Sequence, residues 1–167
     1  IAETRLGDAE RATELYDRAL TMLPDSPGLQ TCSRVLMQES PDPELRLRAL
    51  RQEASARTGG QRAALHLAAA TLLLKELSRE EDALSQLLEC LGHDPGSRTA
   101  LALLSAIYRE RGQMEELAAV LDTGAEAAEA PQDVVEHRIK AALLYEGPLG
   151  RIDVALRRYR DLAQVEE

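Results

Sequence analysis

Apolar residues recur along this chain at the three- and four-residue spacing of an α-helical face. A clear example is the stripe within residues 61–76, which consists of Leu65, Ala68, Ala69, Leu72 and Leu73. No window alternates apolar and polar positions with the β-branched and aromatic side chains that are typical of strands. The pattern therefore predicts an all-α protein.

Turn and capping residues divide the pattern into short helices. Helix starts are predicted at Asp8, Ser26-Pro27, Asp42-Pro43, Ser78-Arg79-Glu80-Glu81, Asp94-Pro95 and Pro131. Helix ends are predicted at Gly59-Gly60, Gly92 and Gly112. Because the gaps between these helices are short, consecutive helices are expected to run antiparallel.

One spacing of small and large residues recurs in four segments. The four segments are Gly7-Ala12-Tyr16-Ala19-Pro24, Ser78-Ala83-Leu87-Cys90-Pro95, Tyr108-Gly112-Leu117-Leu121 and Tyr145-Gly150-Ala155-Tyr159-Leu162. Ala83 and Leu117 lie one 34-residue interval apart. The other intervals are longer, and loops at 40–43, 57–61 and 146–149 can hold the extra residues at low cost.

This spacing resembles the tetratricopeptide repeat, a family of 34-residue helix–turn–helix units. The resemblance covers the whole chain and implies a right-handed α-α superhelix of antiparallel hairpins. It predicts a single helical-repeat domain over 1–167, with units at about 1–26, 27–60, 61–97, 98–131 and 132–167. The unit at 27–60 departs most from the pattern. The first unit has lost most of its first helix, so we expect a fragment of a longer array.

The resemblance also implies a function, because tetratricopeptide arrays usually bind a peptide or helix of a partner in a concave groove. Carried onto this chain, the groove residues are Thr31, Val35, Gln38, Ala68, Leu72, Lys75, Thr99, Ala102, Ala106 and Arg109. The sequence therefore predicts a protein–protein interaction scaffold whose partner is another polypeptide. The alternatives are that these positions pack against further repeats of a longer array or against a second copy of the chain, in a homo-oligomer. The carboxylate clamp that some family members carry has no counterpart here.

Charge and hydropathy limit the classes of partner that the sequence favours. The formal net charge is −9, from 20 Lys and Arg against 29 Asp and Glu, which disfavours nucleic acid because phosphate neutralisation dominates that binding. No stretch approaches the roughly 18 apolar residues that cross a bilayer, and no signal peptide is visible. We therefore expect no membrane insertion and favour a cytoplasmic location. Cys32 and Cys90 are predicted to be buried, reduced core residues, with a disulfide between them as the alternative.

Catalytic and metal-binding motifs are missing from the sequence. It has no His-Glu-x-x-His, phosphate-binding loop or Gly-x-Ser-x-Gly motif. We predict no enzyme activity, no cofactor and no metal site, and we interpret His93 as a solvated loop histidine. Residues 113–137 contain seven acidic residues and no Lys or Arg. That stretch is either a docking surface for a basic partner or a solubilising face.

Overall fold

The computed structural model describes the backbone of residues 2–23 and 26–163, with side chains from Arg11 onward in those ranges. These residues form helices and loops and contain no strand, so the all-α prediction is confirmed. The helices are α1 (Ala2–Met22), α2 (Pro27–Gln38), α3 (Pro43–Ser55), α4 (Gly59–Leu72), α5 (Glu80–His93), α6 (Arg98–Glu110), α7 (Met114–Ala127), α8 (Pro131–Glu146) and α9 (Ile152–Ala163). A π-helical turn, Leu73–Leu77, extends α4.

Three helix starts were predicted correctly from proline at the first helical position. Pro27, Pro43 and Pro131 each occupy that position, where the absence of an N–H costs nothing. At Asp42 the side chain accepts a hydrogen bond from the Glu44 backbone N–H at 3.0 Å, as an N-cap should. Proline and the capping carboxylate together define the start of α3.

Four other helix boundaries were predicted wrongly. Helix α1 begins at Ala2 and therefore runs through Asp8. Gly59 opens α4 instead of closing α3, with φ at +56°. Helix α5 starts at Glu80, and Ser78 has a left-handed backbone, which is unsuited to the extended conformation of an N-cap. Helix α6 starts at Arg98 after Ser97, and not after Asp94.

The repeat seen in the sequence has a structural counterpart at three turns. Ser78, Gly112 and Gly150, which occupy equivalent positions in the repeated segments, have φ of 52°, 67° and 62°. Glycine adopts this left-handed conformation without steric cost, whereas serine does so with strain. Five residues after each of them comes a buried side chain, namely Ala83, Leu117 and Ala155. The local geometry of the turn therefore repeats along the chain.

The π-helical turn accounts for an extra residue in one repeat. After Gly112, the N–H of Gln113 donates to the carbonyl of Tyr108, five residues back, at 2.9 Å. After Ser78, the N–H of Arg79 donates to the carbonyl of Leu73, six residues back, at 3.0 Å. A π turn contains one residue more than an α turn. The loop that this hydrogen bond closes is therefore one residue longer at Ser78 than at Gly112.

The chain divides into two compact units, Ile1–Gln86 and Leu87–Glu167. In the first unit α1, α2, α3 and α4 pack in chain order, and in the second α6, α7, α8 and α9 do the same. Met37, Leu47 and Leu73 are among the fully buried side chains of the first unit, and Leu104 and Leu117 of the second. The division into five tetratricopeptide-like units stays a prediction.

Alanine allows these helices to pack closely. Ala49, Ala118, Ala141 and Ala142 are completely buried, and a buried methyl group in place of a larger side chain permits a short distance between helix axes.

The two cysteines differ in burial, contrary to the sequence prediction. Cys90 is buried, but Cys32 is exposed on α2.

Candidate functional site

Part of the predicted groove exists as a concavity in the first unit, which we call the α3–α4 groove. It has a volume of about 550 Å³ and is lined by Gln38, Arg46, Leu50, Ala64, Leu67, Ala68, Thr71, Leu72, Lys75 and Glu76. Four residues chosen from the sequence, Gln38, Ala68, Leu72 and Lys75, therefore lie together.

The floor and walls of the α3–α4 groove are aliphatic. Leu50 comes from α3, while Ala64, Leu67 and Ala68 come from α4. The Thr71 hydroxyl donates to the carbonyl of Leu67 at 2.9 Å, so its hydrogen-bonding capacity is used within the helix. Its described lining residues include no aromatic side chain. These side chains expose apolar area that a bound ligand would remove from water.

Leu72 belongs more to the core than to the groove surface. Only 9% of its area is exposed, whereas Ala68 is exposed on the groove floor. Leu72, which the sequence predicts as a binding residue, is therefore a core side chain of which only one edge lines the groove. A charged residue at position 72 would destabilise the fold, but one at position 68 would leave the packing intact.

The charged groups of the α3–α4 groove come from α3 and from the π turn. Arg46 and Glu76 form an ion pair, so their charges largely cancel. Gln38 donates its amide to the Glu53 carboxylate at 2.8 Å. Lys75 is exposed and makes no ion pair with the described residues. The groove therefore has one cation that is not neutralised, on the element that follows α4.

The two remaining predicted residues of the first unit lie elsewhere. Thr31 lines a different concavity, of about 540 Å³, between α2 and α3. An ion pair between Arg34 and Glu53, at 3.1 Å, lies within that second concavity. Val35 is exposed on α2. The structure thus does not bring Thr31 and Val35 together with Ala68 and Lys75 in one concavity.

In the second unit a larger concavity, the α6–α8 concavity, has a volume of about 590 Å³. Ala102 and Arg109, both predicted from the sequence, are among its lining residues, while Thr99 and Ala106 are exposed outside it. The other lining residues are Asp94, Gly96, Arg98, Leu101, Ser105, Val120, Leu121, Gly124, Ala127, Ala128, Glu129, Asp133, His137 and Lys140.

The α6–α8 concavity is polar and internally paired, unlike the α3–α4 groove. Arg98 contacts the Asp133 carboxylate at 2.7 Å. His137 contacts the Asp133 backbone carbonyl through Nδ1 at 2.7 Å, which requires a proton on Nδ1 and leaves Nε2 as an acceptor in the neutral ring. Lys140 is paired with Glu136. Two cations of this concavity, Arg98 and Lys140, therefore already have carboxylate partners on α8.

The sequence analysis did not predict several lining residues of the α3–α4 groove, although helical spacing could have identified two of them. Ala64, Ala68, Thr71 and Lys75 follow one another at spacings of four, three and four residues, so they form one stripe along α4 and the π turn. Extending the predicted positions by this spacing identifies Ala64 and Thr71. Leu50 comes from the segment that departs most from the repeat, and no sequence signal identified it.

The acidic stretch 113–137 is partly neutralised by arginines from outside it. Asp122 is paired with Arg158 of α9, and Asp133 with Arg98 of α6. The Glu115 carboxylate lies 3.9 Å from Arg151. These pairs reduce the negative potential that a basic partner would need, so the solubilising interpretation is favoured over a docking surface.

The described helices include none that is both long and apolar enough for a membrane span. No protein-family model matches the chain, and no curated protein matches it by sequence. Two crystal structures of the protein MamA are similar to it. The first is 15% identical with a TM-score of 0.46, over 96% of this chain and 90% of that chain. The second has the same identity and TM-score, over 99% of this chain and 88% of that chain. A likeness of this extent assigns neither a family nor a function, and the tetratricopeptide resemblance stays a prediction.

Proposed function

We propose that this chain is a protein-interaction module whose α3–α4 groove binds an apolar segment of a partner polypeptide. The observation that carries the proposal is the lining of that groove. Leucine, alanine and threonine side chains from two helices surround a volume of about 550 Å³, and the charged residues come from one stretch of α3 and from the π turn. An aliphatic groove of this kind suits the apolar face of a helix or an extended segment.

The charge of Lys75 adds a second requirement on the partner. Desolvating an ammonium group without a counter-ion is costly, so a segment that covers Lys75 is favoured when it places a carboxylate there. Arg46 does not impose this requirement because Glu76 already neutralises it. The preferred ligand is an amphipathic helix with two aliphatic side chains one turn apart, followed by Asp or Glu.

A designed peptide tests this proposal directly. A fluorescein-labelled helical peptide with two leucines four residues apart and a glutamate one turn later would be titrated with the protein, and fluorescence anisotropy would report binding. Ala68→Glu should weaken binding at least tenfold, because it places a charge on the exposed groove floor. Leu72→Glu would be a poor test of the groove, because Leu72 is buried and the introduced charge would destabilise the fold.

Two matched alanine variants complete the experiment. Ala119→Glu, on an exposed position of α7, should leave the affinity unchanged. Ala102→Glu asks whether the α6–α8 concavity contributes, since Ala102 lines it. Equal binding by the wild type and the Ala68 variant would contradict the proposal. Loss of binding in the Ala102 variant alone would show that the peptide binds in the α6–α8 concavity instead.

A further inference from the structure

The hairpin of α8 and α9 carries an aliphatic surface that nothing in the described chain covers. Four large side chains are well exposed there, at 39%, 53%, 60% and 50% of their areas, and they are Ile139, Leu143, Ile152 and Leu156. Each pair is separated by four residues and so lies on one face of its helix. We call these four residues the α8–α9 aliphatic face.

The helical phase places this face on the side of the hairpin that is turned away from α7. His137 contacts Gly124 of α7, and Ile139 follows His137 by two residues, or about 200° around α8. Arg158 pairs with Asp122 of α7, and Leu156 precedes Arg158 by two residues, again about 200°. Both helices thus present leucine and isoleucine where no neighbouring helix lies within the second unit.

The charges beside Leu156 are arranged with opposite sign on its two sides. Asp153 lies three residues before Leu156 and Arg160 four residues after it, so all three project from one face of α9. Both charged residues are exposed. Arg160 makes no ion pair with the described residues, while Asp153 is paired only with Arg157 of its own helix, at 3.1 Å. A surface with this antisymmetry is complementary to a second copy of itself.

We propose that the α8–α9 aliphatic face is a homodimer interface, in which two copies pack α9 against α9 around a two-fold axis beside Leu156. In that arrangement the helices run antiparallel, and the midpoint between Asp153 and Arg160 lies on the axis. Asp153 of each copy then meets Arg160 of the other, twice in the dimer. Isologous contacts of this kind define two-fold dimers, in which residue i meets j and j meets i.

Burial of the aliphatic residues favours association, and the charged residues determine how the two α9 helices align. Covering Ile139, Leu143, Ile152 and Leu156 removes apolar area from water, which favours association without specifying an orientation. The two Asp153–Arg160 pairs then favour the antiparallel arrangement, since a parallel one would place like charges side by side. Both requirements are met by one partner, which is the same surface on another molecule.

Sedimentation velocity over a wide concentration range tests the interface. The wild type should shift with concentration from the 18.3 kDa monomer towards twice that mass. Leu156→Glu should raise the dissociation constant at least tenfold while leaving the helical circular dichroism unchanged, because the side chain is half exposed. Wild-type protein that remains monomeric at every concentration would overturn the proposal.

A pair of charge reversals tests the two-fold axis itself. Asp153→Arg alone and Arg160→Asp alone should each weaken the dimer, because each places like charges opposite one another. Mixing the two variants should restore dimers, since the mixed pair regains both Asp–Arg contacts. Control reversals are Glu14→Arg on α1 and Arg51→Asp on α3, which are both exposed and distant in sequence from α8 and α9. They should leave dimerisation unchanged.

Failure of this inference is distinguishable from failure of the proposed function. The Leu156 variant should still bind the labelled peptide, and the Ala68 variant should still dimerise. If the wild type dimerises but the mixed variants do not, the two-fold register of α9 is wrong. If the Ala68 variant alone loses the dimer, the second copy occupies the α3–α4 groove and the α8–α9 assignment is wrong.

Discussion

The ring of His137 lies against the backbone of Gly124. A Cβ atom on Gly124 would lie 2.7 Å from Cδ2 and 3.0 Å from Nε2 of this ring, and 3.2 Å from Cδ1 of Leu101. The ring is held in place by the contact between its Nδ1 and the Asp133 carbonyl. Glycine at position 124 therefore permits α7 and α8 to approach closely, and its role is steric.

Gly124→Ala should destabilise the second unit although alanine is the better helix former. Overpacking a well-filled contact costs about 1–3 kcal/mol, which exceeds the ~1 kcal/mol that alanine gains in helix propensity. Thermal and chemical denaturation would measure the change in the free energy of unfolding. Combining the substitution with His137→Ala should recover much of the loss, since the added methyl group then has room.

Gly92→Ala is the matched control for that substitution. Gly92 also lies in a helix, α5, but no atom outside its local backbone lies within 4 Å of an added Cβ. The free energy of unfolding should rise by a few tenths of a kcal/mol to about 1 kcal/mol. If both glycine substitutions stabilise the protein, the close contact at Gly124 is wrong.

Asp122 and Arg158 join α7 to α9 through a two-point ion pair. Arg158 Nη2 lies 2.6 Å from Asp122 Oδ2, and each side chain is about one quarter exposed. The guanidinium also lies over the Tyr145 ring, 4.7 Å from its centroid. Asp122→Ala should lower the free energy of unfolding by about 1–2 kcal/mol, between the values for exposed and buried pairs.

An exposed pair provides the comparison for Asp122. Glu136 and Lys140 form an ion pair one turn apart on the surface of α8. Removing it with Glu136→Ala should change the free energy of unfolding much less than Asp122→Ala does, because solvent screens an exposed pair. A double-mutant cycle with Asp122→Ala and Arg158→Ala would report the coupling, and no coupling would contradict the assigned contact.

Deleting Lys75 should leave the first unit folded. The π turn at Leu73–Leu77 contains one residue more than an α turn, so the deletion converts it into the geometry seen before Gly112. Deleting Lys140 from the regular helix α8 instead rotates every following residue by about 100° and removes Ala141 and Ala142 from their buried positions. Circular dichroism melting should show a small loss for the first deletion and a large one for the second; equal losses would contradict the insertion model.

The two thiols should react at different rates. Cys32 is exposed and should react quickly with a thiol reagent, whereas Cys90 should react only as the chain opens. Burial raises the pKa of the Cys90 thiol, and a hydrogen bond with Ser97 opposes this in part. The native state therefore holds this proton more tightly than the unfolded chain does. The resulting stability is present below the usual thiol pKa and is lost as the pH rises through the raised pKa. Equal reactivity of both thiols in the native protein would contradict the burial of Cys90.

Local spacing along the sequence determined the all-α class and several helix starts, whereas the predicted residues of the α3–α4 groove came from the tetratricopeptide resemblance. The apolar period is that of a helix, and prolines at the first helical position determine where α2, α3 and α8 begin. Gly112, which the sequence predicts as a helix end, lies just past the end of α6 with φ of 67°, a left-handed conformation that favours glycine. These features depend on residues within a few positions of one another, and such information is present in the sequence.

Tertiary structure decided which predicted residues share a surface and which charges remain free. Ala68 and Lys75 line one groove, but Thr31 lines another concavity, because that depends on how α2, α3 and α4 pack. The acidic stretch 113–137 contains no Lys or Arg, yet Asp122 and Asp133 form ion pairs with arginines of α9 and α6. Pairing between distant segments depends on packing geometry, which spacing along the chain does not encode.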